Sequence, residues 1–192
     1  MWGFLREISI TLILALVIFL GLQFVVQDYN IRQYSMQPTF QEGQRVLVSK
    51  VAYSFHEPER GDVIILRPPP PYSPKTTPFI KRIIGLPGDT IEIKLGSVYV
   101  NGSPLDEPYI KESPKYTFPQ YEIPENNYFV LGDNRNKAND SHAGWTVPHQ
   151  NIIGKAWFSI WPPDKWGLVA HHPLQEQLVS SMNKQLPLLG AD

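Results

Sequence analysis

Phe79-Ile80-Lys81-Arg82-Ile83-Ile84, followed at once by Gly85-Leu86-Pro87-Gly88-Asp89, is a short apolar strand that runs into a hard turn. Period-two alternation puts Phe79, Lys81 and Ile83 on one face while Arg82 points the other way. Pro87 and Gly88 end the ladder, so the chain must reverse there. The same unit, a few β-branched or aromatic residues closed by a turn, recurs on both sides of this stretch.

Upstream, Gln44 to Val51 begins after Gly43 as a strand would, and Gly61-Asp62 opens Val63-Ile64-Ile65-Leu66. The proline-rich run from Arg67 to Phe79 can form neither helix nor ladder and reads as a polyproline-like loop. Downstream, Thr90 to Ile93 and Ser97 to Val100 join around Leu95-Gly96 as a hairpin, and Asn101-Gly102 turns the chain again. Ser103 to Asn127, rich in Pro, Glu and Tyr, looks like exposed chain, so about 90–127 is expected as a small inserted β-hairpin region. Tyr128-Phe129-Val130-Leu131 and Ile152 to Ile160 complete the strands. No long amphipathic helix interrupts them. The expected body, 28–170, is mainly β: compact and mostly antiparallel.

Ahead of it lies a different solvent preference. Residues 8–27 carry no charge, with Ser9, Thr11, Gln23 and Gln27 as the polar members. The nineteen residues from Ile8 to Val26, as a helix, rise ~28 Å, close to a bilayer's hydrocarbon core. A cleaved signal peptide and a buried core helix are the rival readings. The length of the run, the single charge of Arg6 before it among basic residues, and the lack of a small-x-small pair before Asp28 favour an uncleaved single-pass anchor. Arg6 against Asp28 favours a cytoplasmic N-terminus for 1–7 and puts the body on the far side. The tail, 171–192, has Leu174, Leu178, Val179, Met182 and Leu186 at roughly helical spacing, suiting a helix on the membrane or on the body.

Composition removes whole classes of chemistry. None of the 192 residues is cysteine, which excludes disulfides, thiolate metal sites and thiol nucleophiles. A net charge of −1 with no basic cluster gives no footprint for nucleic acid.

A serine hydroxyl reacts only when a base takes its proton, and a lysine can be that base only when neutral. Burial disfavours the ammonium, and Lys81 on an apolar strand face has the surroundings for it; an edge-strand lysine in solvent is the plain alternative. Ser35, in the rigid turn Ser35-Met36-Gln37-Pro38-Thr39 just above the membrane, is the matching nucleophile, although serine in turns is usually structural. Gly132-Asp133-Asn134-Arg135, running on to Asp140-Ser141-His142, is dense in hydrogen-bonding groups and reads either as a brace for that site or as a solvated turn. Asp133, Asp140 and His142 lack the spacing of a metal site, so no metal and no other cofactor is expected.

Together these segments resemble type I signal peptidase, the membrane-anchored serine-lysine endopeptidase that cleaves signal peptides from exported preproteins. The Ser35 turn is similar to its nucleophile box, Gly61-Asp62-Val63 to a short strand motif, Lys81 to Asp89 to the base box, and Gly132 to Ser141 to the last box. His142 resembles the cyanobacterial and chloroplast branch. The resemblance implies Ser35 as nucleophile and Lys81 as general base. It implies Ser35 N–H and Gln33 at the oxyanion, and Ile31, Met36 and Ile80 lining shallow pockets for small residues. Arg82, Asp133, Asn134, Arg135, Asp140 and Ser141 are implied as supports. It also implies a periplasmic or lumenal domain facing lipid, with signal peptides as partners.

Two positions depart from that pattern. Ala138 stands where relatives place a serine that hydrogen-bonds the lysine, leaving Lys137, Asn139, Ser141 or a water to replace it. Gln33 stands where many carry an oxyanion-hole serine. A weak or inactive relative that binds preproteins or scaffolds a membrane complex is therefore the competing expectation.

Overall fold

The computed structural model describes residues 2–72, 77–172 and 174–178. A helix, α1 (Trp2–Val25), is apolar around its circumference, and its segment Gly3–Val25 has a mean hydropathy of 2.6 with none of it buried. Its polar side chains are satisfied within the helix: Ser9 Oγ donates to Leu5 O at 2.9 Å and Thr11 Oγ1 to Glu7 O at 3.0 Å. The helix begins earlier than the expected 8–27, because Arg6 and Glu7 favour helix as much as their apolar neighbours do. It ends before Val26, where strand pairing takes over.

The body is antiparallel β. Among the described residues the larger sheet has eight strands. They are β1 (Val26–Asn30), β2 (Arg45–Ser49), β3 (Val63–Leu66), β4 (Phe79–Gly85), β9 (Asn127–Leu131), β10 (Val147–Pro148), β11 (Ile152–Trp161) and β12 (Gly167–Leu168). The order is β1-β2-β11-β3-β4-β9-β10, with β12 added on β11. The smaller sheet runs β7 (Ser103–Pro104), β6 (Ser97–Val100), β5 (Thr90–Lys94), β8 (Phe118–Glu122). The mainly β expectation holds. The strand β1 has little β propensity of its own and exists by pairing with β2, from Val26 opposite Ser49 to Asn30 opposite Arg45.

The turns follow from backbone sterics. Leu95 and Gly96 have φ of 52° and 74°, and Asn101 and Gly102 have 52° and 80°. Paired positive φ values match the right-handed strand twist and close the β5–β6 and β6–β7 hairpins.

The 90–127 region is not an exposed appendage. Ile91, Ile93, Val98, Val100, Leu105, Tyr109 and Ile123 form one buried cluster with Ile84, Phe129 and Leu131 of the larger sheet. Alternation sends Glu92 and Lys94 outward and the isoleucines inward, so the two sheets share a core. Residues 174–178 are helical, and Leu174 and Leu178 enter that same core. Of the tail's expected helical positions, Val179, Met182 and Leu186 lie outside the described residues, as do 73–76 of the proline-rich run.

Candidate active site

β4 lies between β3 and β9, which places its side chains in the middle of the sheet. Lys81 sits opposite Ile64 and Arg82 opposite Val63. Lys81 is only 1 % exposed, and its Nζ lies 2.8 Å from Ser35 Oγ and 3.0 Å from Ile80 O. Burial pulls the Lys81 pKa down to about 8, against the opposing pull of the Asp140 and Asp133 carboxylates. A neutral amine can accept from the Ser35 hydroxyl with its lone pair while donating one N–H to Ile80 O, which aims the lone pair at the serine proton.

Ser35 is 5 % exposed on the 31–44 loop, between β1 and β2. The last box holds that loop from outside. Asn134 N donates to Ser35 O at 2.9 Å, and Asn134 Nδ2 donates to Tyr34 O at 3.0 Å. A Cβ on Gly132 would stand 2.4 Å from Ser35 O and 2.7 Å from Ala138 Cβ, so only glycine lets the two segments approach.

Three buried networks fix the box. Arg82 grips Asp133 with two hydrogen bonds, Nε to Oδ1 at 3.0 Å and Nη2 to Oδ2 at 2.8 Å, and its Nη1 donates to Gly61 O at 2.9 Å. Thr39 Oγ1 adds a 2.5 Å bond to Asp133, tying the nucleophile loop to the same carboxylate. Arg135 donates to Gly132 O at 3.1 Å and pairs with Glu107. Asp140 accepts from Gly132 N at 2.9 Å and faces His142 Nδ1 at 2.5 Å, while Ser141 Oγ accepts from Val130 N at 3.0 Å. Paired guanidinium and carboxylate groups of this kind give geometric rigidity as much as energy.

Ser35 and Lys81 open into a cleft of about 540 Å³ bordered by Gln33, Phe79, Asn134 and Asn139 among others. Ile31, Met36 and Ile80, expected as pocket walls, do not border it. They are 0 %, 0 % and 1 % exposed and form one core cluster with Val46, Val63 and Ile65 beneath it. Alternation explains Ile80: its neighbour Lys81 faces the serine, so Ile80 takes the opposite side. The apolar surface offered to the cleft is the Phe79 ring, 5.0 Å from Lys81 Nζ.

Ser141, a candidate to replace a hydroxyl at Ala138, accepts from Val130 N and makes no hydrogen bond to Lys81, whose second partner is Ile80 O. Sequence reasoning missed Thr39 and Glu107. Thr39 follows the serine motif and could have been suspected. Glu107 carried no signal, since it lies 28 residues before its partner in chain read as exposed. Among the described residues, no three His, Asp or Glu side chains are grouped to hold a metal ion.

The family model described as signal peptidase, peptidase S26, matches residues 4–161. A probable signal peptidase I-1 of Synechocystis sp. is 44 % identical over 171 residues, covering 86 % of this chain and 87 % of the relative. Signal peptidase I of Leptolyngbya laminosa is 40 % identical over 168 residues, covering 85 % and 83 %. Thylakoidal processing peptidase 1 of Arabidopsis thaliana chloroplasts is 38 % identical over 156 residues, covering 77 % of this chain and 46 % of that longer protein.

Proposed function

The chain belongs to the signal peptidase family, peptidase S26, and from that membership we propose that it removes N-terminal signal peptides from preproteins with Ser35 as nucleophile and Lys81 as base. The observation that carries the residue assignment is the 2.8 Å separation of Lys81 Nζ and Ser35 Oγ in a buried setting. Nucleophile and base are within hydrogen-bond reach, and the base is neutral over an accessible pH range.

In this reading Ser35 Oγ attacks the carbonyl carbon of the scissile bond as its proton passes to Lys81 Nζ. Ser35 N–H, with the Gln33 amide at the cleft edge, donates to the oxyanion; one such donor is worth ~3 kcal/mol in comparable sites. Collapse breaks the C–N bond, and the lysine returns the proton to the leaving amine. Lys81 then takes a proton from water as its oxygen attacks the acyl carbon, and returns that proton to Ser35 Oγ as the acyl C–Oγ bond breaks. The Ile80 O contact fixes the amine between these transfers. Arg82, Asp133, Arg135, Asp140 and Ser141 hold the two reacting segments together from behind the cleft, and Asn134 does so at its border.

The protein is membrane-anchored in this account, through α1. Its N-terminus is cytoplasmic and its β body lies on the periplasmic or lumenal side, where signal peptides emerge. The charge of Arg6 before the apolar segment and Asp28 after it support that direction.

The test compares cleavage of a preprotein ending its signal in small-x-small by the intact protein, Ser35→Ala and Lys81→Ala. Cleavage by the intact protein alone supports the assignment. Equal rates for all three would leave the binding or scaffolding alternative.

A further inference from the structure

The chain as a whole has a net charge of −1, yet the cleft that holds Ser35 and Lys81 is bordered by Arg32, Lys111 and Lys137 and by no Asp or Glu. The three cations come from separate parts of the fold. Arg32 precedes Ser35 on the nucleophile loop. Lys111 lies on the smaller sheet's connecting segment, held against the last box by its N–H donating to Asp133 O at 3.0 Å. Lys137 closes the short 3₁₀ turn Arg135–Lys137, with its N–H donating to Asn134 O at 2.9 Å. All three side chains are exposed and none forms a salt bridge within 4 Å among the described residues, although the Glu112 carboxyl, held below its usual range first by Lys115, is near enough to feel Lys111 as well.

Of the other exposed basic residues described, Arg45, Lys94 and Lys115 are matched by Asp28, Glu92 and Glu112, while Arg6, Arg67 and Lys165 stand singly; only at the cleft do three such cations gather on one surface. Convergence of cations on one concave surface with no carboxylate in its lining concentrates positive potential there and draws in anionic groups. The backbone hydrogen bonds fix where two of these cations start, so the arrangement belongs to the folded site rather than to mobile chain.

We propose that this cationic border is a specificity element: the cleft selects preproteins that carry Asp or Glu within a few residues of the scissile bond. The occupant is the substrate peptide itself, because the same cleft contains the reactive serine. The inference rests on the protease reading for its setting, but the attraction concerns binding and is separable from the chemistry.

The experiment uses the full chain in a non-ionic detergent and peptides sharing one small-x-small site. They differ only in carrying Glu, Gln or Lys at the first three positions after the cut. Binding is read with Ser35→Ala, so turnover is not needed, and kcat/KM with the intact protein. The expected result is a Glu peptide favoured over the Gln peptide by ~3–10-fold at low salt, with the Lys peptide weakest. The preference should shrink as salt rises from about 0.05 to 0.5 M. In the triple variant Arg32→Gln, Lys111→Gln, Lys137→Gln, the Glu/Gln ratio should fall to about one. Equal binding of all three peptides, or a ratio unchanged in the variant or by salt, overturns the proposal. If the intact protein cleaves nothing while Ser35→Ala still ranks the peptides by charge, the protease reading fails and the charge-selective cleft stands.

Discussion

Arg135 and Glu107 meet as a buried two-bond pair, Nη1 2.5 Å from Oε2 and Nη2 2.6 Å from Oε1. Tyr109 OH also donates to Glu107 at 2.6 Å. Because Arg135 Nε holds Gly132 O, the pair links the smaller sheet to the segment that packs on the nucleophile loop.

Removing one partner of such a pair leaves the other charge buried without compensation, a loss of ~3–5 kcal/mol. Glu107→Ala is expected to lower unfolding free energy by that amount and to reduce kcat at least tenfold at temperatures where it remains folded. Glu107→Gln keeps one acceptor and should lose less of both. Urea denaturation monitored alongside kcat checks the two effects together.

The pH dependence follows from Lys81. Only its neutral form can take the serine proton, so kcat/KM should rise about tenfold per pH unit below a midpoint of about 8 and level off above it. The stability effect has the same sign. Between about 8 and the ordinary lysine value of 10.5, the unfolded chain holds the proton while the folded protein has released it, so folding stability rises with pH in that window. Below it the burial penalty is constant, on the order of 3 kcal/mol. Lys81→Met should therefore abolish cleavage and stabilise the protein near pH 7, both readable by denaturation and activity assays. A variant no more stable than the parent would count against a Lys81 pKa lowered in the folded protein, since the pull of the Asp140 and Asp133 carboxylates is already included in that value.

Much of this arrangement was legible in the sequence, and the exceptions have physical reasons. Strand alternation around Lys81 and the Leu95-Gly96 turn are local signals, and both describe what the structure contains. β1 is legible only through its partner β2, since Val26 to Asn30 has no strong propensity. The depth of Ile31, Met36 and Ile80 depends on how the larger sheet curls over them, which period two does not encode. Glu107 is visible only once the two sheets share a core.

Gly132 tests how close the last box must come. A methyl group there would stand 2.4 Å from Ser35 O, and that neighbour is backbone rather than a side chain that can swing away. Gly132→Ala should displace the nucleophile loop and cut kcat by more than tenfold. A small displacement of the reacting atoms is enough for a loss of that order. The fold should persist, visible as an unchanged far-ultraviolet circular dichroism spectrum.

Ala138→Ser places a hydroxyl at the position where the resemblance implies one. Since Lys81 Nζ already has Ser35 Oγ and Ile80 O as partners, kcat/KM should change by less than about threefold. A larger increase, measured on the same preprotein, would show that Ile80 O orients the amine poorly.

The tail offers the last test. Leu174 is 0 % exposed and Leu178 6 %, both within the core shared by the two sheets. Arg60 Nε donates to Gln175 at 3.0 Å while its Nη2 pairs with Asp89 at 2.8 Å, so this segment braces the turn after β4. Gly61 makes the docking possible: with φ at 98°, it would place any Cβ 2.4 Å from His172 O. Leu174→Ala should therefore destabilise the body by ~2–5 kcal/mol, through lost burial and the cavity left behind. That loss should be the same in detergent micelles as in lipid vesicles, because the leucine is covered by protein. A destabilisation seen only in vesicles would mean the segment leaves the core for the bilayer.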